Sequence, residues 1–148
     1  MNPHDGFREL DRQECLCLLA RASVGRVVHT RRALPAVLPV HFSLDANSAV
    51  VLRTAADSEL CRAIDGAVVA FEADEVIAAP PSGWSVVVTG RATVVTDPAE
   101  HTRLSRTGPR CWGTSSEEED VFIRVEPELV TGRELVGGHT IRGVNLAS

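Results

Sequence analysis

The most constraining feature of the sequence is the regular alternation of side chains from Leu34 to Leu44. Every second residue of this stretch is apolar, which predicts a β-strand with one face turned towards a core. Pro35 and Pro39 both fall on the opposite face, and proline has no N–H to donate to a sheet. The strand must therefore be an edge, carry a bulge or lack a neighbour over that part. A backbone edge of this kind is available to a ligand.

The segments around this strand predict a mainly β protein. Asp45–Ser48 has the composition of a hairpin turn. Further strands are predicted at 24–30, 49–54, 67–73, 83–96 and 121–130, a loop at 74–82, and short helices at 10–22, 55–64 and 97–107. This order indicates an antiparallel barrel of six strands with two or three short helices at its ends. A single domain would occupy residues 1–148, with 1–9 and 137–148 as loosely ordered tails.

Individual residues sharpen the prediction at three places. Asp11 and Glu14 have the spacing of a capping box at the start of the first helix. Gly90 lies in the middle of the longest strand and suggests a bulge or a sharp coil, as barrels need at corners. Pro127 predicts that the last strand is an edge or is bulged.

Composition and charge exclude several classes of protein. The net charge of -5 argues against nucleic acid or an anionic membrane as the main partner, because both need a basic face. The absence of lysine excludes Schiff-base chemistry and a P-loop lysine. No segment reaches the roughly 20 apolar residues of a membrane span, and no signal peptide is recognisable. These features predict a cytoplasmic protein whose four cysteines are reduced.

The common catalytic and metal motifs are missing. There is no G-x-S-x-G elbow and no G-x-G-x-x-G after a strand, which argues against a hydrolase and a Rossmann fold. Cys15 and Cys17 are too close in sequence for a zinc pair, and His101 with Cys111 lacks a metal-binding spacing. No metal site is therefore predicted.

Arg53, Thr54 and Ser58 gather anion-binding side chains where a strand gives way to a helix. An arginine fork, two hydroxyls and the N–H groups of a helix start suit a phosphate monoester. An ion pair of Arg53 with Asp57 or Glu59, together with a Ser58 helix cap, explains the same residues. Residue types alone leave both interpretations open.

Trp84, at the start of the longest predicted strand, also has two interpretations. A tryptophan in this position packs into a core or an interface, or it stacks on a planar ring.

The order of these segments resembles the flavin-binding split-barrel family related to pyridoxamine 5′-phosphate oxidase. The resemblance covers residues 10–135 and is most similar to the oxidase-like branch, whose relatives include nitroimidazole reductases. Its most specific stretches are PVHF at 39–42, RTA-x-x-S at 53–58, GWSVVVTGRA at 83–92 and VTGRE at 130–134. The resemblance implies an antiparallel six-stranded split β-barrel that forms a homodimer, with FMN bound at the subunit interface.

The same resemblance assigns roles to particular residues. It implies that the phosphate of FMN is held by Arg53, Thr54 and Ser58, and that the backbone of Pro39, Val40, His41 and Phe42 lines the isoalloxazine edge. Trp84 and Ser85, from the same or the partner subunit, would close the ring site.

One position departs from the family pattern. The residue after Ser58 is commonly lysine in the family and is Glu59 here. A carboxylate repels a phosphate by on the order of 1 kcal/mol when both are solvated. Glu59 must then point away, Arg62 must substitute for the missing lysine, or flavin binding is weakened or lost.

The function implied by the resemblance is an FMN-dependent oxidoreductase that passes electrons from a nicotinamide donor to a small acceptor. His41 is a candidate for proton transfer in that reaction. The alternatives are a non-catalytic protein that binds flavin, deazaflavin or haem, and a degenerate dimer without a cofactor.

Overall fold

The structure is a computed structural model that describes residues 6–110 and 120–135. In chain order its strands are β1 (Phe7–Leu10), β2 (Val24–Arg31), β3 (Leu34–Leu44), β4 (Val50–Ala55), β5 (Val68–Ile77), β6 (Ser82–Val94), β7 (Asp120–Val125) and β8 (Leu129–Leu135). Its helices are α1 (Arg12–Leu19), α2 (Glu59–Ile64) and α3 (Pro98–Thr107).

Six of the strands close into a barrel in which every neighbouring pair is antiparallel. Their order is β6, β5, β2, β3, β4 and β7, and β7 returns to pair with β6. The remaining strands extend the sheet, because β8 pairs with the first half of β6 and carries β1 on its outer edge. The prediction of a six-stranded antiparallel barrel with short helices is confirmed.

The barrel core comes from the inward faces of the strands and from one side of each of the first two helices. Phe71 of β5 and Val86 and Val88 of β6 are fully buried. Leu19 of α1 and Ile64 of α2 join the same cluster from outside the strands. Each such side chain contributes roughly 1.5–3 kcal/mol by leaving water, so the helices hold the barrel closed as well as covering it.

The helix starts follow the signals in the sequence. Asp11 accepts a hydrogen bond from the backbone of Glu14, whose side chain accepts one in return, so the capping box of α1 is confirmed. Asp97 caps α3, with Pro98 in the first turn. Among the described helices, none has the length and apolar character needed to cross a membrane.

Gly90 lies where β6 changes its partner. Before it, β6 pairs with β8 as far as Thr89, and after it β6 pairs with β7 from Ala92 onwards. The chain between β7 and β8 passes so close that a Cβ on Gly90 would lie 1.7 Å from the carbonyl oxygen of Glu126. The glycine therefore permits a close backbone crossing at a corner of the barrel.

The strand prediction is wrong near the C-terminus and misses one strand near the N-terminus. The single strand expected at 121–130 is two strands, because the chain turns at Pro127 and continues along a different edge of the sheet. β1 lies in a stretch that was expected to be loose. It is ordered by pairing with β8, where Arg8 donates to Glu134 at 2.9 Å across 126 residues.

The end of β5 and the start of α2 also differ from the predicted boundaries. β5 continues to Ile77, through residues expected to form a loop, because β6 extends opposite it as far as Ser82. α2 begins at Glu59 rather than at residue 55, because β4 continues to Ala55 and Ser58 caps the helix.

We expect Gly90→Ala to lower the free energy of unfolding by at least about 3 kcal/mol, because the new methyl group must displace backbone rather than a flexible side chain. Gly66→Ala is the control. Gly66 has φ of 81°, and a Cβ at this position would have no atom within 4 Å, so only backbone strain of about 1–2 kcal/mol applies. Urea denaturation of both variants measures the difference. Equal losses would show that the crossing at Gly90 is not tightly packed.

Candidate functional site

The barrel opens between β3 and β4. These strands pair only through Phe42–Leu44 and Val50–Leu52. Beyond the last pair, β3 continues along β2 while β4 continues along β7. Pro39–His41 of β3 and Arg53–Ala55 of β4 therefore border the same opening, which we call the split. The split brings together the two halves of the site predicted from the sequence.

One wall of the split is the outer edge of β3. The N–H of Phe42 donates to the carbonyl of Ser23 at 3.0 Å, so even-numbered residues of β3 direct their backbone groups to β2. Odd-numbered residues direct theirs the other way, where no described strand pairs with 34–40. Pro35 and Pro39 occupy that side, where a missing N–H breaks no ladder. The prediction that this strand is an edge over its proline-bearing part is confirmed.

The opposite wall carries a pair of hydroxyl groups. Thr54 Oγ1 donates to Ser58 Oγ at 3.0 Å, and the backbone N–H of Cys61 donates to the same oxygen at 3.0 Å. Ser58 is the N-cap of α2, as predicted. A hydroxyl has two acceptor lone pairs and one proton. Both lone pairs of Ser58 are used, so its own hydrogen is left to donate to a further acceptor.

Arg53 is directed away from these hydroxyls into a buried ion pair. Its Nε donates to Asp120 Oδ2 at 2.9 Å, and its Nη1 donates to the carbonyl of Pro109 at 3.3 Å. The guanidinium carbon lies 5.2 Å from the centre of the Phe122 ring. Arg53 is 7% exposed and Asp120 is 2% exposed, so this pair is shielded from water.

The partner of Arg53 differs from the one the sequence suggested. The expected ion pair with Asp57 or Glu59 is replaced by one with Asp120, because Arg53 lies opposite β7 on the outward side of β4. Its role as a phosphate ligand stays a prediction, and that role would require the buried pair to open.

Glu59 turns towards the hairpin between β2 and β3 and forms an ion pair with Arg31. Arg62, one turn further along α2, donates from Nη1 to the carbonyl of Asp57 at 2.6 Å. A cleft of about 560 Å³ lies between the hairpin and α2, lined by Thr30, Arg31, Arg32, Glu59, Arg62 and Ala63. The carboxylate that departs from the family pattern is thus held by an arginine.

The remaining candidates for the ring site divide between the core and the surface. Val40 and Phe42 are buried, and the Phe42 ring lies 4.6 Å from that of Phe71. Trp84 belongs to the same core, so the core interpretation of this tryptophan is confirmed. Pro39 is exposed and His41 is half-buried on the other face of β3. The backbone and side chains of Pro39 and His41 are therefore placed to meet a ligand at the split, whereas the backbone groups of Val40 and Phe42 are directed to β2.

Ser85 lies in a polar cluster on the outer face of the sheet. Its hydroxyl donates to Glu72 Oε2 at 3.2 Å, while Arg26 Nε donates to Glu72 Oε1 at 2.7 Å. Asp74 lies 3.2 Å from the same arginine. Burial raises the pKa of Glu72, and its hydrogen bond with Asp74 raises it further, although Arg26 acts in the opposite direction. The cluster joins three neighbouring strands, β2, β5 and β6, on this face.

That outer face has no covering element among the described residues. Directly opposed residues share a face of the sheet. The register therefore places one row across five strands, consisting of Val37, Val28, Ala70, Thr89 and Leu129. Two members of this row are large apolar residues that remain exposed, Val37 at 62% and Leu129 at 58%.

The described cysteines show no sign of activation. Burial raises the pKa of the Cys15 and Cys61 thiols, which keeps them protonated at neutral pH. Cys17 is exposed, and Cys111 lies outside the described residues. Within 6–110 and 120–135, no group of three or more His, Cys, Asp or Glu is arranged to hold a metal ion.

Several residues of the site were not found from the sequence. The sequence places Asp120 at the end of an acidic run, 117–120, that is predicted to be solvated; this is wrong for Asp120, which is 2% exposed. Asp120 and Glu72 lie 67 and 46 residues from Arg53 and Arg26, so no local pattern indicates either pair. Arg31 and Arg32 are also missed, because two consecutive arginines between predicted strands indicate only a turn. The one feature of the sequence that could have indicated a binding role is the pair of consecutive arginines at a hairpin.

These features define a split β-barrel protein with an open edge beside a hydroxyl pair. The family profile of pyridoxamine 5′-phosphate oxidase matches residues 11–134 of the chain. The chain therefore belongs to the pyridoxamine 5′-phosphate oxidase family, and the resemblance recognised in its sequence is confirmed.

Three relatives illustrate the match. Uncharacterized protein Rv0080 of Mycobacterium tuberculosis is 42% identical, over 86% of this chain and 85% of its own. The FAD binding protein from Mycobacterium smegmatis is 30% identical with a TM-score of 0.67, over 86% of this chain and 97% of that one. A conserved protein of unknown function from Corynebacterium diphtheriae is 32% identical with a TM-score of 0.73, over 89% of this chain and 100% of that one.

We expect Arg53→Met to lower the free energy of unfolding by about 3–5 kcal/mol, because it leaves the buried carboxylate of Asp120 without its cation. The double variant with Asp120→Asn should lose less than the sum of the two single variants. Arg8→Met is a matched control, since Arg8 pairs with Glu134 at the surface, where the loss of an ion pair costs little. Urea denaturation measures all four, and similar losses for Arg53→Met and Arg8→Met would contradict the buried pair.

The raised pKa of Glu72 predicts a pH dependence of stability. A carboxyl group whose pKa is higher in the folded state stabilises the fold most below its ordinary value of 4.5, and this contribution is lost as the pH rises through the folded pKa. Glu72→Gln does not titrate. The stability of the wild type relative to this variant should therefore fall as the pH rises above about 4.5 and through the folded pKa. Urea denaturation at one protein concentration tests this, and a constant or rising difference would refute it.

Proposed function

We propose that the chain binds a flavin, FMN in the first instance, in the split between β3 and β4, and that it acts with this cofactor as an oxidoreductase. The observation that carries the proposal is the hydroxyl of Ser58. It accepts two hydrogen bonds and keeps its own hydrogen for an acceptor, at the start of α2, three residues after the strand that forms one wall of the split. The relative from M. smegmatis, described as an FAD binding protein, supports a flavin as the ligand.

The phosphate of the flavin would bind at the hydroxyl wall. Thr54 orients Ser58, and Ser58 donates to a phosphate oxygen. Arg62, one helical turn from Ser58, supplies the nearest cation of α2 and has further N–H groups beyond the one used on Asp57. Arg53 would contribute indirectly, by fixing the end of β4 through its pair with Asp120.

The isoalloxazine ring would lie against the outer edge of β3. A flavin ring edge carries both acceptor carbonyls and a donor N–H, so it can meet the backbone groups of a strand that has no neighbour. Pro39 offers only its carbonyl on this side, and Val37 offers both groups. Val40 and Phe42 would hold this backbone rigid, because their side chains are locked in the core.

The assembly that suits this site is a homodimer formed through the outer face of β3, β2, β5, β6 and β8. The row of Val37, Val28 and Leu129 gives that face an apolar stripe, and the Arg26–Glu72–Ser85 cluster satisfies its polar groups internally. A second copy on this face would bury the stripe and lie beside the open edge of β3. Ser85 would then be in the interface, while Trp84 would support it from the core.

Bound flavin supplies two-electron chemistry that the protein side chains cannot perform. The chain's own part would be to position the ring, exclude water and manage protons. His41 lies on the outer face of β3, which the proposed partner would cover, and is the candidate for proton transfer at the split. A nicotinamide donor and a small acceptor complete the proposed reaction.

Titration of purified protein with FMN, followed by flavin absorbance and thermal stability, tests the proposal. We expect saturable binding, weakened about tenfold by Ser58→Ala because one hydrogen bond to a charged oxygen is lost. Ser58→Thr keeps both the hydroxyl and the helix cap and should bind like the wild type. Ser105→Ala on α3 is the control for removal of a half-buried hydroxyl elsewhere.

No spectral shift and no stabilisation at a large excess of FMN would refute the proposal. Light scattering in the same samples reports the mass, and a monomer that binds FMN fully would exclude the interface. Anaerobic addition of NADH or NADPH then separates an enzyme, whose flavin is bleached and reoxidised by an acceptor, from a protein that only carries flavin.

A further inference from the structure

The cleft between the β2–β3 hairpin and α2, which we call the arginine cleft, concentrates positive charge on an acidic chain. It contains Arg31, Arg32 and Arg62 against the single carboxylate of Glu59, in a protein of net charge -5. Its volume of about 560 Å³ falls in the range of roughly 300–1,000 Å³ typical of small-molecule sites. An excess of two positive charges in a concave surface attracts an anion of matching charge.

The backbone at Arg32 gives an independent reason to expect a ligand. Arg31 pairs with Leu34, so Arg32 and Ala33 form a two-residue hairpin loop, with φ of 52° and 66°. Loops of this geometry favour Asn and Gly, because other residues are strained at positive φ. A ligand-binding role of the Arg32 side chain would explain an arginine at this strained position.

The side chain of Arg32 makes no hydrogen bond or ion pair with any residue of the described ranges. Arg31, in contrast, is paired with Glu59, and Arg62 is partly used on the carbonyl of Asp57. The Arg31–Glu59 pair is solvent-exposed, with side-chain accessibilities of 48% and 54%. Exposed pairs contribute about 1 kcal/mol or less, so an incoming anion can replace Glu59 at little cost.

A second cleft shows what a structural charge cluster looks like in the same protein. It has a volume of about 600 Å³ and lies between the β3–β4 turn and α3. Its Arg124 donates to Asp45 at 2.8 Å and to Glu100 at 2.9 Å, and Arg103 also pairs with Glu100. With Asp97, three carboxylates line this cleft against two arginines. The arginine cleft has the opposite balance, with three arginines and one carboxylate.

We propose that the arginine cleft binds the diphosphate group of a dinucleotide, and that Glu59 is a built-in competitor that occupies Arg31 until the ligand arrives. The two flanking elements suit a diphosphate, because Arg32 and Arg31 approach from the hairpin and Arg62 from α2. The source of the diphosphate is a dinucleotide flavin or a nicotinamide dinucleotide. The flavin arm rests on the proposed function, since Ser58 immediately precedes Glu59 and joins the two sites.

Inorganic pyrophosphate is the first probe, titrated by calorimetry into the full chain at low ionic strength. We expect Arg32→Gln to weaken its binding about tenfold, because a charge-assisted contact is lost. Glu59→Gln should strengthen it about fivefold, because Arg31 is then available. Arg106→Gln removes one exposed arginine from α3 and should leave the affinity unchanged.

Absence of binding, an equal loss in Arg32→Gln and Arg106→Gln, or no gain in Glu59→Gln would each overturn the proposal. Riboflavin, FMN, FAD and NADPH then identify the source of the diphosphate. If Arg32→Gln lowers the affinity for FAD alone about tenfold, the diphosphate belongs to the flavin. If it lowers the affinity for NADPH alone, the diphosphate belongs to the nicotinamide donor. If neither dinucleotide depends on Arg32, the proposal fails.

The two proposals fail separately. Pyrophosphate binding with the expected variant pattern, but without any FMN or riboflavin binding, would refute the flavin site and leave the arginine cleft standing. Normal FMN binding without pyrophosphate binding would refute the proposal for the arginine cleft and leave the flavin site standing.

Discussion

The site depends on the point where β3 and β4 stop pairing. Up to Phe42 and Leu52 the strands share a ladder, and beyond it each follows a different neighbour. The prolines of β3 make this separation inexpensive, because Pro35 and Pro39 have no N–H with which a continuing β4 could pair. β4 instead runs beside β7 and ends at α2, whose Leu60 and Ile64 fill the barrel behind the opening. β3 can therefore belong to a closed barrel and still have an open backbone edge over part of its length.

The second wall of the split is held in place by a buried charge pair. Arg53 and Asp120 join β4 to β7, and the carbonyl of Pro109 joins them to the chain that follows α3. Removing two charges from water is costly, and their attraction offsets the cost only while both partners remain. Because Arg53 is used in this way, the hydroxyl groups beside the split are those of the neighbouring residue Thr54 and the cap Ser58. Arg53 and Thr54 are adjacent in β4, so their side chains point to opposite faces. Arg53 stabilises the contact with β7, and Thr54 lies beside the split.

Other arginines of the molecule are likewise paired with nearby carboxylates. Arg124 is neutralised by two carboxylates, and Arg26 is set against Glu72 and Asp74 on the outer face. The hairpin and α2 break this pattern, because three arginines there meet one glutamate. A chain with a net negative charge can for that reason still present a local cluster of positive charge to a small anion.

The sequence by itself determined the barrel, the edge character of β3 and the helix caps. Alternation, proline and capping residues act over a few neighbouring positions, so they can be read without knowing the partners. It also placed Thr54 and Ser58 at a strand-to-helix junction, where the structure finds them hydrogen-bonded. Only the tertiary structure decided that Arg53 pairs with Asp120, that Glu59 turns to Arg31, and that β1 and β8 extend the sheet. Each of these contacts joins residues 28 or more positions apart, and which distant strands become neighbours depends on the packing of the whole chain rather than on any local pattern.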